Sequence, residues 1–341
     1  MILLTGANGH LGANLLRRLL ADGADVRVLL RPESDNSTVD GLPVERVSGD
    51  LRDPESVARA VRGCSQVYHT AAVVALHYRR DEIFRSNVIG TRNLLRASMD
   101  AGVRKVVVSG SLSAVGYDPR RPSDESMPFN PFEEHLPYSV TKAFVEHECL
   151  KAAVEGLDVV IAVSCAILGP WDFKPSRMGR VLIDFANGRM RAYIDGGFEF
   201  VTARDIAEGH VLAMRHGRSG QRYIFGSGFR TTGELMALYE RITGRKRPMR
   251  IPVALMAAVA RVTSPILNTC FPDVPQRFTP ASVRLLRMRR RADSSKACEE
   301  LGYRPTSVEQ AVQEAYDWFV ERGVVRRPAA VSRAHEVRVD S

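Results

Sequence analysis

Only five cysteines occur in the 341 residues, at Cys64, Cys149, Cys165, Cys270 and Cys298, with no CxxC pair among them. That spacing argues against a disulfide framework and a thiolate zinc site, so a reducing, cytoplasmic compartment is expected. A secretory leader is not expected, because the first apolar segment starts at Met1 and leaves no room for a charged n-region. Long apolar runs are scarce. The longest, IPVALMAAVARVTSPILNTCF (251–271), is broken by Arg261 and Pro265 short of the roughly 20 residues a bilayer crossing needs, which excludes stable membrane insertion. It reads as a buried or lid helix, with contact to a greasy substrate or a membrane surface as the alternative. Metal-ligand spacing is lacking too: His69 has no second ligand at a useful distance, so no metal is expected. The formal charge of +9 is partly local. In RLLRMRRR (284–291), Arg284, Arg287 and Arg291 share one helical face, as on a solvated amphipathic helix. No aromatics are interleaved with them. Nucleic acid is therefore not an expected partner, and an anionic substrate group or phosphate tail suits the basic run better.

What the chain has is a regular alternation. Short, Val-rich, continuous apolar runs at 2–6, 25–31, 44–50, 66–72, 105–111 and 158–164 are separated by stretches long enough for one helix each. Strands covered on both faces by crossover helices have this pattern, so the expected architecture is α/β, a doubly wound parallel sheet of the Rossmann type. After Ser164 the segment CAILGPWDFKPSRMGR breaks the alternation, which suggests a crossing into a smaller α/β substrate-binding region. The expected division is a dinucleotide-binding domain over 1–165, rejoined by 195–220, a substrate region over 166–327 and a flexible tail over 328–341. Trp171, Phe173, Phe198 and Phe200 either line an apolar pocket or form the core of the smaller region.

The stretch MILLTGANGHLG places Gly6, Gly9 and Gly12 between a strand pattern and a helix whose leucines, Leu11, Leu15, Leu16 and Leu19, recur at helical intervals. Gly6 would permit a tight turn, Gly9 the approach of a pyrophosphate and Gly12 close helix–sheet contact, with the helix N-terminus facing the phosphates. The end of the second strand holds Arg31, where a basic side chain would meet a 2′-phosphate and an acidic one a ribose hydroxyl. NADP is therefore the expected cofactor. NAD is the alternative, with Glu33 in the acidic role if the strand runs longer.

In PYSVTK (137–142), Pro137 suits a first helical turn and sets Tyr138 and Lys142 four apart on one face. An ammonium beside a phenol lowers its pKa from about 10 toward the range of an acid–base catalyst. Upstream, VVVSGSLSAVG sets Ser109, Ser111 and Ser113 at the carboxyl edge of the sheet, where a hydroxyl can bond a substrate oxygen.

These motifs together resemble the extended short-chain dehydrogenase/reductase family. TGANGHLG resembles its TGxxGxxG, GDLRD (49–53) its adenine-side acidic motif, HTAA (69–72) the motif beside the cofactor, SNVIGTRNLL (86–95) its post-strand helix and YSVTK its YxxxK. The segments 167–182 and 300–319 resemble the dihydroflavonol-reductase-like branch, which includes proteins labelled hopanoid-associated sugar epimerases. The resemblance implies Tyr138 as acid–base catalyst, Lys142 as tuner of its pKa and ligand of the nicotinamide ribose, and Ser111 as partner of the carbonyl oxygen. Ser111 is preferred to Ser109 because it stands five residues before Gly116, and Ser113 assists. It further implies cofactor contacts at Gly6, Asn8, Gly9, His10, Leu11, Gly12, Arg31, Asp50, Leu51, Ala71, Ala72, Asn87, Tyr138 and Lys142, and a homodimer paired through the helices bearing Asn87 and Tyr138. Two departures stand out: Val163-Ser164-Cys165-Ala166 replaces the Arg-Tyr-Phe-Asn segment of nucleotide-sugar epimerases, and Thr202 replaces the histidine of FVHVxDVA. The activity expected is NADPH-dependent reduction of a small-molecule ketone or aldehyde. The alternatives are a sugar or nucleotide-sugar epimerase or dehydratase, and a non-catalytic dinucleotide-binding sensor.

Overall fold

A computed structural model describes residues 1–74, 80–130, 136–255, 258, 263 and 280–326. The readings of 251–271 as lid helix or interfacial segment, and of 328–341 as tail, fall largely or wholly outside these residues. Among them no helix is long and apolar enough to cross a membrane.

Six of the apolar runs form parallel strands: β1 (Ile2–Thr5), β2 (Val26–Leu30), β3 (Glu45–Ser48), β4 (Gln66–His69), β5 (Lys105–Ser111) and β6 (Val159–Ser164). Val106, Val107 and Val108 of β5 are all fully buried, as strands covered on both faces require. With β10 (Arg222–Phe225) they make a seven-stranded sheet in the order β10-β6-β5-β4-β1-β2-β3. The chain winds outward from β1 through β2 to β3, then returns to β4 and winds the other way. The crevice at the carboxyl ends of β1 and β4 is therefore the switch point at which open α/β sheets bind ligands.

Helices cover both faces: α1 (His10–Ala21), α2 (Pro54–Val61), α3 (Arg80–Phe84), α4 (Gly90–Asp100), α5 (Pro137–Val154) and α7 (Ala203–His216). A π-turn over Arg85–Ile89 joins α3 to α4. The second cluster of buried residues lies outside the sheet. It gathers Leu168 of β7 (Ala166–Leu168), Phe185 of α6 (Arg177–Ala186), Phe200 of β9 (Gly197–Thr202), Tyr239 of α8 (Thr232–Thr243) and Phe319 of α11 (Val308–Glu321). The strand within 195–220, β9, does not rejoin the central sheet as expected. It pairs with β7 and with β11 (Gly228–Thr231), and only the helix α7 returns to cover β5 and β6. The seventh strand is instead RYIF, a four-residue run whose shortness hides it in the sequence. Two small strands, β8 (Ala192–Ile194) and β12 (Met249–Ile251), pair in parallel beside the second cluster. The helices α9 (Pro280–Met288) and α10 (Ser295–Leu301) lie between β12 and α11.

Candidate active site

The glycine turn connects β1 to α1 as its spacing predicts. Gly6 has φ +78°, and a Cβ there would strike the backbone of Ala71, while a Cβ on Gly12 would collide with the Gly6 carbonyl oxygen. Gly9 is the N-cap of α1 and supplies no side-chain cap, nor does the first turn contain a carboxylate. The amides of the first turn are thus left for an anion, with the positive end of the helix dipole behind them. Leu11 is buried and His10 turns away, its Nε2 3.0 Å from the Pro170 carbonyl, so these two residues offer only backbone.

The cleft in front of this turn is lined by Gly6, Asn8, Gly9, Arg31, Asp50, Leu51, Ala71, Ala72 and Asn87. Asn8 donates to Asn36 Oδ1 at 3.0 Å, tying the turn to the loop after β2. Asp50 pairs with Arg52 at 2.7 Å, and the Arg52 hydrogen bond holds its carboxyl below the usual range. Arg31 stands exposed on the rim, with no carboxylate hydrogen-bonded to it among the described residues. Glu33 is exposed and does not line the cleft. The donor set, the close glycines and the basic rim together fit a nicotinamide dinucleotide.

Asn87 differs from the expectation of a free cofactor contact. It is buried; its Oδ1 accepts from Val73 N at 2.7 Å, and its Nδ2 donates to Val73 O and to Thr141 Oγ1, both at 3.1 Å. The amide is fully engaged, and its effect is to join the cleft to α5, where Tyr138 and Lys142 stand.

On α5, the Tyr138 phenol faces the Ser111 side chain, which lowers its pKa. Ser111 Oγ also lies 2.9 Å from Ser113 Oγ, so three hydroxyls converge at the end of β5. Ser109 is removed from this group: its hydroxyl lies 2.7 Å from His210 Nε2, in the buried interface with α7. Sequence alone left Ser109 and Ser111 to be separated by resemblance; a histidine 101 residues away separates them physically.

The expected electrostatics are corrected. Burial pushes the Tyr138 phenol up to about 12, against the lowering effects of the Ser111 side chain and the Arg177 charge. Lys142 does not depress it, because Nζ donates to the Ser109 carbonyl at 2.7 Å, and burial brings the ammonium down to about 8. The resting phenol is therefore held neutral rather than acidified. Arg177, at the start of α6, was not singled out in the sequence, where nothing in SRMGR distinguishes it from a surface arginine.

Several other residues singled out in the sequence have defined partners. His69 is buried between Thr5 Oγ1 (2.7 Å) and Thr91 Oγ1 (2.8 Å), and no cluster of three metal-ligand side chains occurs among the described residues. Thr202 caps α7 by accepting from Asp205 N at 2.9 Å. Phe200 is core and Phe198 packs against it edge-on. Phe173 packs against the second cluster, its ring 5.3 Å from that of the buried Trp318, while Trp171 is exposed beside it; Arg17 of α1 lies over both, at 4.1 and 5.2 Å.

With this geometry in place, the relatives can be compared. The family model described as NAD dependent epimerase/dehydratase matches residues 2–226. The chain belongs to this family. It is 46% identical over 325 residues to "Sterol demethylase protein B" of Methylococcus capsulatus, covering 95% of this chain and 99% of that protein. It is 35% identical to "Putative dihydroflavonol 4-reductase" of Synechocystis, covering 94% and 95% respectively. Among solved structures, the crystal structure of gox2253 superposes with a TM-score of 0.85 at 32% identity, covering 96% of this chain and 99% of that one. Membership makes the chain an NAD(P)-dependent oxidoreductase of the extended short-chain dehydrogenase/reductase type, as its motifs imply.

Proposed function

We propose that the protein interconverts a ketone or aldehyde and its alcohol with NADP(H), on an apolar substrate, through Ser111, Tyr138 and Lys142. The observation that carries this reading is the meeting of the paired Ser111 and Ser113 hydroxyls with the Tyr138 phenol at the sheet edge, with Lys142 one helical turn on and the glycine cleft adjoining through Asn87. Hydride chemistry is what a nicotinamide dinucleotide supplies when bound. Gly6, Gly9 and the first turn of α1 would hold its pyrophosphate, Arg31 its 2′-phosphate and Lys142 its nicotinamide ribose.

Ser111 orients the substrate oxygen and Tyr138 gives it a proton in reduction. The phenolate left behind is the costly species in a buried site, and the Ser111 hydroxyl and Arg177 charge oppose that cost. Lys142, brought down to about 8, gains or loses a proton readily near neutral pH and serves as the relay. The names of the two relatives, a sterol demethylase protein and a dihydroflavonol reductase, favour a hydrophobic ring ketone over a nucleotide sugar.

The test follows cofactor absorbance with NADPH and NADH against steroid ketones, a dihydroflavonol and nucleotide sugars. Net oxidation of NADPH with a ring ketone is expected, and Arg31→Glu should reverse the preference toward NADH. Sugar epimerisation without net oxidation would replace this reading by an epimerase, and no turnover of any carbonyl would remove it.

A further inference from the structure

The basic run RLLRMRRR is not one solvated helix. α9 ends at Met288, Arg289 takes φ +45°, a left-handed conformation costly for any residue with a side chain, and Arg290 is carried inward to 9% exposure. Its guanidinium enters the loop that follows Ser111. Nε donates to Ser123 Oγ at 3.0 Å, one terminal nitrogen to the Leu112 carbonyl at 2.7 Å, and the other to the carbonyls of Val115 and Gly116. The neighbours of Arg290 fasten the same loop. Tyr117 Oη donates to Met288 O at 2.7 Å, Ser123 N to Arg291 O at 3.0 Å and Asp293 N to Ser123 O at 2.9 Å.

Three carbonyls of one short loop thus converge on a single planar fork, and that loop contains Ser113 and begins directly after Ser111. We propose that Arg290 is a positioning residue for the reaction assigned above: it fixes 112–116 so that the Ser111 and Ser113 hydroxyls stay aligned with Tyr138. The inference rests on that reading of function. A lysine, with donors radiating from one point, cannot reproduce the fork.

The experiment uses the full chain with Arg290→Lys and Arg290→Ala, measuring kcat, KM for the ketone, NADPH dissociation constant and thermal midpoint. Since small misplacements of reacting groups cost up to about 100-fold in rate, Arg290→Lys should lose about 10- to 100-fold in kcat while NADPH affinity stays within about twofold. Added guanidinium ion should restore part of the kcat of Arg290→Ala and none of that of Arg290→Lys. A folded variant with the kcat of the natural chain overturns the proposal, and Arg290→Lys decides the matter if Arg290→Ala fails to fold. If the natural chain reduces no carbonyl, the assigned function fails instead. Amide exchange then judges Arg290: unchanged exchange over 112–116 in Arg290→Lys refutes it, and exchange at least tenfold faster there, with β1 and β4 unaffected, supports it.

Discussion

The proposed reaction assigns the proton transfer to Tyr138, and the environment of that side chain sets the expected response to substitution. The phenol stays protonated well above neutral pH because burial penalises the phenolate. Tyr138→Phe removes the proton donor and leaves the glycine cleft, which lies on other elements, untouched. Turnover should fall by about 10²- to 10⁴-fold, the usual contribution of general acid–base catalysis, with NADPH binding retained in a fluorescence titration. Near-normal turnover in that variant would take Tyr138 out of the proton-transfer role. The spacing of Tyr138 and Lys142 is visible in the sequence, since four residues on a helix define one face. The ammonium's acceptor is not visible there, because the Ser109 carbonyl lies 33 residues away and only sheet packing brings it to Nζ.

Among the elements, α1 depends most sharply on a single position. Gly12 sits where a Cβ would overlap the Gly6 carbonyl and come within 2.9 Å of Ala7 Cα, so a side chain there must push the helix off the turn. Gly12→Ala should lower stability by about 1–3 kcal/mol, the range of overpacked cores, and weaken NADPH binding by at least tenfold. Gly23→Ala is the control. It has open space around it and φ +72°, so it should cost about 1 kcal/mol and leave binding alone. Chemical denaturation with parallel NADPH titration compares the two, and equal binding in both variants would refute the close-contact role of Gly12. The first six strands and α1 were legible because continuous apolar runs and glycine spacing are local signals. β9 was misassigned because its apolar run states that it is buried, not against which sheet.

At the scale of the whole molecule, buried ionisable groups make stability depend on pH in opposing ways. Burial lowers His69 to about 3 and His210 to about 4, so below the ordinary histidine pKa the unfolded chain takes up protons that the folded one refuses. Each loses on the order of 2 kcal/mol of stability between pH 7 and pH 5. Glu199 works the other way. Its pKa is raised to about 7 by burial, so the folded state binds a proton first and recovers on the order of 2 kcal/mol over the same interval. Taken together, these three groups contribute a fall of about 2 kcal/mol on acidification, growing to about 4 when Glu199→Gln removes the opposing one. Urea unfolding at the two pH values measures both, and an identical pH dependence in the variant would show that Glu199 is not held protonated.

The sequence by itself determined the parallel sheet, the glycine cradle and the Tyr–Lys helix, because each is written in residues near one another along the chain and acts through local geometry. Tertiary structure alone decided which serine faces the phenol, where the lysine's proton-bearing nitrogen rests, and that one arginine of a basic run is buried against the serine loop. Those outcomes depend on groups tens to hundreds of residues apart, and on the desolvation that only the packed chain imposes.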